Sequence, residues 1–106
     1  MGFFDFLKHT DINQGIKEYA AAPDAVLLDV RTSEEYRGGH IPGSRNVPLQ
    51  TIEMVNSVAE NKTTPLFVYC HSGARSRQAA VLLRHMGYTN VKDIGGIADY
   101  SGEVER

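Results

Sequence analysis

The chemistry-bearing residues of this chain crowd into one stretch, Val68-Tyr69-Cys70-His71-Ser72-Gly73-Ala74-Arg75-Ser76. Cys70 is the only cysteine. An apolar run, Leu66-Phe67-Val68-Tyr69, leads into it, and a helical pattern is under way six residues later. A cysteine between a strand end and a helix start sits where backbone N–H groups converge and the helix dipole is positive. That setting favours a thiolate and binds anions. Cys70 is therefore expected to be a nucleophile, with His71, Ser72, Gly73, Ala74, Arg75 and Ser76 as its anion cradle. Gly73 permits a backbone conformation that a side chain would block. Arg75 adds positive potential, and Ser72 and Ser76 offer hydroxyls, Ser76 also being placed to cap the helix. A lone cysteine at a strand end is more often a small buried apolar residue. The Gly, Ser and Arg that follow favour the nucleophile, because a plain core position has no use for such a loop.

The elements that must position this loop read as an α/β alternation. Asp11 caps a helix running to about Ala22, with Ile12, Ile16 and Tyr19 on one face. It stops before Pro23-Asp24, a turn signal. Ala25-Val26-Leu27-Leu28-Asp29-Val30 is apolar without alternation, which suits a strand buried on both faces of a parallel sheet. Asp29 falls at its carboxyl end, where sites gather in open parallel sheets. Thr32-Ser33-Glu34-Glu35 reads as a capping box for a short helix ending at Gly38-Gly39. A Pro-Gly turn over residues 40–46 leads to a brief strand at Asn46-Val47-Pro48. Gln50 to Glu60 reads as an amphipathic helix with Ile52, Val55 and Val58 or Ala59 inward. After the cysteine loop, Ala79 to Met86 continue a helix closed by Gly87. Val91 to Ile94 is the last strand, and Ile97 to Tyr100 one more turn. Such alternation implies helices on both faces of a sheet.

One domain over residues 1–106 is expected, with 1–10 as an N-terminal arm and 101–106 as a frayed tail. In the arm, Phe3, Phe4, Phe6 and Leu7 are expected to lie on one surface of a short helical turn packed on the domain. Lys plus Arg number 11 against 13 Asp plus Glu, and no basic run occurs, so a nucleic-acid partner is not expected. The apolar runs are too short for a membrane span. Residues 1–8 lack the pattern of a signal peptide. One cysteine excludes an intrachain disulfide, a CxxC redox pair and a zinc site of the usual thiolate kind. A resolving thiol must come from another molecule, and a cytoplasmic setting fits.

Three motifs in order resemble those of single-domain rhodaneses, which are sulfurtransferases. The first is Leu28-Asp29-Val30-Arg31, followed by Glu35-Tyr36 and by Gly39-His40-Ile41-Pro42-Gly43-Ser44-Arg45-Asn46-Val47-Pro48. The second is the loop from Cys70 to Ser76. The third is Asp93-Ile94-Gly95-Gly96-Ile97. The resemblance spans roughly residues 11 to 100. It implies a three-layer α/β fold around a five-stranded, mainly parallel sheet. It also implies transfer of a sulfane sulfur from a donor such as thiosulfate, through a Cys70 persulfide, to cyanide or a thiol, with no cofactor and no metal. The alternative within the family is a sulfur-relay or persulfide-binding module served by a partner protein. Asp29, Arg31, His40 and Arg45 are implied as supports: Asp29 as a structural brace, paired with Arg45 or the loop; Arg31 as a surface or packing residue; His40 as the lock of the Ile-Pro-Gly turn. His71 is expected to face solvent. Tyr100 stands where relatives commonly carry tryptophan, and His71-Ser72 where some thiosulfate-using relatives carry Arg-Lys.

Loop length separates this reading from cysteine phosphatases and arsenate reductases. Their Cys-x5-Arg loop admits a tetrahedral oxyanion. Cys70 to Arg75 is Cys-x4-Arg, one residue shorter, with serine at 76 and no carboxylic general acid in an obvious place.

Overall fold

In the computed structural model, which describes residues 11–106, the two apolar runs lie side by side as parallel strands. Val26–Asp29 (β1) and Leu66–Cys70 (β3) pair with Val26 opposite Leu66 and Asp29 opposite Tyr69. All five residues of β3 are buried, as a strand flanked on both edges and covered on both faces must be. Arg45–Asn46 (β2) pairs with the outer edge of β1, and Val91–Gly96 (β4) with the outer edge of β3. The order is β2-β1-β3-β4, with every pairing parallel. The chain pattern supplied four strand runs and the family resemblance a fifth; among the described residues the sheet has four. The closing stretch makes a single antiparallel bridge, His40 with Glu105, instead of a strand.

Alternation along the strands divides the core. Leu28, Leu66, Val68 and Cys70 share one cluster with Val55, Ala79, Leu83 and Tyr88. Leu27, Phe67 and Tyr69 share the other with Ile12, Ile41 and Ile94. Successive strand residues point to opposite faces, so Cys70 falls on the face that carries the helix following it. Ile12–Ala21 (α1) covers the second face, its N-cap Asp11 accepting from the Asn13 N–H at 3.1 Å. Ala74–His85 (α3) and a 3₁₀ segment, Leu49–Ser57, cover the first. Ser33–Gly38 (α2) follows β1 and carries the complete Thr32–Glu35 capping box.

Three expectations change. The helix read over Gln50 to Glu60 is a 3₁₀ segment with a kink at Thr51. Its buried residues, Ile52 and Val55, lie three apart, the repeat of a 3₁₀ helix. The last strand runs two residues further, to Gly96, with a bulge: Val68 pairs with Asp93 but Tyr69 with Gly95. The tail is exposed but tied down. The His40 and Glu105 N–H groups each donate to the other's carbonyl at 2.8 Å, and the Arg106 Nε–H donates to the Gly38 carbonyl. The expectations for the arm at residues 1–10 lie outside the described residues.

Candidate functional site

Cys70 is the last residue of β3 and 1% exposed. The chain leaves the strand through His71-Ser72, turns at Gly73, and enters α3 at Ala74. Gly73 has φ +107°, a conformation that a side chain strains. This turn folds the start of α3 back over the sulfur. The Gly73 N–H donates to Cys70 Sγ at 3.0 Å and the Ser76 N–H at 3.2 Å. Ala74 and Arg75 occupy the first helical positions, whose N–H groups have no acceptor within the helix. The sulfur thus sits in a nest of backbone donors at the positive end of a twelve-residue helix.

The end of strand β4 and the 3₁₀ turn after it, Ile97–Asp99, support the loop from behind. The Ala98 N–H donates to the His71 carbonyl at 3.0 Å. Gly96 passes so close that an added Cβ would overlap that carbonyl and lie 2.6 Å from Ser72 Cα. The Gly-Gly turn is therefore a steric requirement of the cysteine loop. A cavity of about 180 Å³ opens between Ser72-Gly73, the end of β4 and the start of α1, bordered by Asp11, Asp93 and Asp99.

The hydroxyl of Ser76 does not cap α3; the N-cap is Gly73, without a side-chain bond. Ser76 is fully buried inside the first turn. Its hydroxyl donates to Asp93 Oδ1 at 2.7 Å, and the Cys70 thiol lies 3.5 Å from Ser76 Oγ. The Gly95 N–H donates to the same Asp93 oxygen at 3.0 Å.

Arg75 reaches across to α2. Its guanidinium donates to both oxygens of Glu35, at 2.8 and 3.0 Å. Glu35 also accepts from the Thr32 N–H at 3.0 Å, so one carboxylate caps a helix and holds the loop arginine. The Arg75 hydrogen bonds, with help from Thr32, hold the Glu35 carboxyl down at about 2. The same pairing raises Arg75.

The supports expected at Asp29 and Arg45 are rearranged. Asp29, fully buried, pairs with Arg31 and not with Arg45 or the loop. Arg31 Nη2 donates to Asp29 Oδ2 at 2.6 Å and to the Gly39 carbonyl at 2.7 Å, while the Arg31 N–H donates to Asp29 Oδ1. Of the two expectations for Arg31, surface or packing, its 5% exposure fits packing. Burial works against its charge, but Asp29 outweighs burial and raises its affinity for the proton. A two-residue spacing lets the pair close locally, whereas Arg45 sits exposed on the edge strand. Asn46, beside it, ties the turn instead, its amide donating to the carbonyls of Asp29 and Arg31.

His40 does not lock the Ile-Pro-Gly turn with its ring. The ring stacks on Tyr36 at 3.7 Å, and Nδ1 lies 2.9 Å from the Tyr36 carbonyl. The turn is held by tyrosines: the Tyr36 hydroxyl donates to the Ser44 carbonyl, and the Tyr69 hydroxyl accepts from the Ile41 N–H and donates to Ser44 Oγ. Burial, then the Asp29 charge, pushes the Tyr69 phenol far up, so it stays protonated and donates. His71 is exposed, as expected, and Ser72, expected to offer its hydroxyl to the cradle, is exposed as well. Tyr100 packs on the cluster containing Ile12 and Ile94.

Sequence reasoning missed Glu35 and Asp93 as parts of the site. Glu35 reads first as a capping residue, and the signal available for both was their place in the first and third motifs of the resemblance.

The family model of the Rhodanese-like domain matches residues 13–103. The thiosulfate sulfurtransferase PspE of Escherichia coli (strain K12) is 38% identical over 73 residues, covering 68% of this chain and 70% of that protein. The putative sulfur carrier protein YrkF of Bacillus subtilis (strain 168) is 38% identical over 81 residues, covering 74% of this chain. The chain spans 43% of the length of that second relative. A solved structure of a rhodanese with anions from E. coli matches with a TM-score of 0.72 at 34% identity, covering 77% of this chain and 98% of that one.

Proposed function

The chain belongs to the rhodanese-like domain family, and from that premise we propose that it transfers a sulfane sulfur through a persulfide on Cys70. The observation that carries the proposal is the pair of N–H groups, from Gly73 and Ser76, aimed at a sulfur beneath the start of α3.

Those donors stabilise negative charge on the sulfur, so the thiolate attacks without a dedicated base. With thiosulfate, the Cys70 thiolate attacks the outer sulfur. A new S–S bond forms, the donor's own S–S bond breaks, and sulfite leaves with the electron pair. The charge moves to the outer sulfur of the persulfide, within reach of the N–H groups at the first helical positions. Cyanide or a thiolate then attacks that outer sulfur, and Cys70 leaves as thiolate. Arg75 lies beside the loop with its charge engaged by Glu35, which fixes the first turn of α3 against α2. His71 and Ser72 stand exposed at its mouth, where donor and acceptor arrive. The Asp29–Arg31 pair and the Tyr36, Tyr69 and His40 contacts brace the strand end from which the loop springs.

A relay role, in which a protein supplies or takes the sulfur, uses the same chemistry. The likeness to a putative sulfur carrier protein supports it. A cytoplasmic location belongs to the same reading, since an unpaired reactive thiol suits a reducing compartment.

Incubation with thiosulfate followed by intact-mass measurement tests the proposal. The expected result is a gain of one sulfur, about 32 Da, lost on adding cyanide and absent in Cys70→Ser. No adduct from any sulfane donor would sink both the enzyme and the relay. Fast steady-state thiocyanate formation selects the enzyme; loading without turnover selects the relay. Phosphate release from an aryl phosphate would instead favour the phosphatase reading.

A further inference from the structure

The Ser76 hydroxyl has one proton and several claimants. Asp93 Oδ1 lies 2.7 Å from Ser76 Oγ, the Gly73 carbonyl 3.1 Å, the Gly95 carbonyl 3.4 Å and Cys70 Sγ 3.5 Å. Asp93 is both the nearest acceptor and the charged one, and charge-assisted hydrogen bonds are the stronger kind. The hydroxyl therefore donates to Asp93, and the lone pairs of Ser76 Oγ are left to face the sulfur. An oxygen lone pair accepts from a thiol S–H but repels a thiolate.

We infer that Asp93 is a positioning residue of the sulfur site: by holding the Ser76 hydroxyl proton it keeps that proton off Cys70 and favours an uncharged sulfur at Sγ. The Gly73 and Ser76 N–H groups pull the other way, stabilising charge on the same atom. Two forms of Cys70 avoid that repulsion: the thiol, which donates its S–H to Ser76 Oγ, and the inner sulfur of a persulfide, which has no proton to give but whose charge has moved to the outer atom. The bare thiolate does not avoid it. In that state the Ser76 hydroxyl must either keep donating to Asp93, leaving lone pairs against the charge, or turn to the sulfur and leave Asp93 with the Gly95 N–H alone. The arrangement biases the site toward the loaded form, and that consequence rests on the sulfur-transfer reading above. The hydroxyl contest itself does not.

Other charged groups border the site from each packed element. They are the Asp29–Arg31 pair after β1, the Glu35–Arg75 pair between α2 and α3, exposed His71, and Asp11 and Asp99 across the cavity behind Ser72 and Gly73. None of these touches the Ser76 hydroxyl. A change at Asp93 that requires Ser76 therefore isolates the relay from the general field.

The test is the rate of Cys70 alkylation by iodoacetamide from pH 5 to 9, with no sulfur donor present. It compares the unaltered protein, Asp93→Asn, Ser76→Ala and the double variant. Asparagine keeps the shape and an acceptor for the Gly95 N–H but removes the charge that claims the hydroxyl proton. The D93N profile should move to lower pH, with alkylation on its acid side roughly threefold faster, the equivalent of half a pH unit. That gain should disappear when Ser76 is alanine. An unchanged or slower D93N, or an equal gain with Ser76 absent, would overturn the inference, the latter making Asp93 a plain through-space charge. Asp93→Ser is read in the same way if D93N does not fold; loss of the fold in both would make Asp93 structural and equally overturn it. A missing sulfur adduct in the unaltered protein would sink the proposed function while leaving this result standing.

Discussion

Glu35 shows how one side chain serves two levels of structure. As the third residue of α2 it completes a capping box with Thr32, and as an anion it clamps Arg75 with two hydrogen bonds. Its carboxyl is held at about 2 against an ordinary value of 4.5. A folded-state value below the unfolded one adds stability that is fully present above the unfolded value and is lost as pH falls through the folded one. The window here runs from about pH 4.5 down to about 2. Glu35→Gln keeps an N3 residue suited to the capping box but removes the charge. Urea unfolding at pH 5 and at pH 2.5 should therefore show a smaller acid-induced loss in E35Q than in the unaltered protein. An equal loss in both would deny the ion pair a role. The capping box was legible because its spacing is local. The pair with Arg75 was not, because the residues lie 40 positions apart and meet only when β3 sets α3 beside α2.

At the scale of elements, the end of β4 matters as much as the end of β3. The bulge between Asp93 and Gly95 turns β4 so that Asp93 meets Ser76 and Gly96 slides under the loop. Gly96→Ala places a Cβ against backbone atoms of His71 and Ser72, which cannot swing aside as a side chain would. The variant is expected to lose about 1–3 kcal/mol of stability. Sulfur loading should fall by roughly tenfold to a hundredfold, since small misplacements of reacting groups are costly. Thermal melting and the mass assay read the two effects separately. Intact loading would show that the loop tolerates displacement. The strand runs and capped helices were readable from apolar continuity and cap residues. The 3₁₀ geometry was not, because the spacing of Ile52 and Val55, three apart, also suits one face of an α-helix.

Across the whole molecule, one sheet separates two apolar clusters, and both depend on β1 and β3. Leu27 and Leu28 are adjacent and fully buried, yet they face opposite layers. Leu27→Ala and Leu28→Ala should each cost about 2–5 kcal/mol. Because the layers share their central strands, each variant should still unfold in one transition with the denaturant slope unchanged. A second transition in either would mean that the layers unfold separately. The antiparallel bridge between His40 and Glu105 joins the far end of the chain to the turn that follows α2. No local pattern in residues 101–106 announced it, because a two-residue bridge needs no periodicity.

The sequence by itself determined the class of fold, the strand and helix order, and the place of the lone cysteine between a strand end and a helix start. These follow from local rules: apolar runs, cap residues, turn glycines and the spacing around Cys70. Tertiary structure alone decided which partners hold the cysteine loop. It gave Arg75 to Glu35 and brought Asp93 from the neighbouring strand to the Ser76 hydroxyl. Such partners depend on which elements lie adjacent and in what register, and for Asp93 the register includes a one-residue bulge in β4.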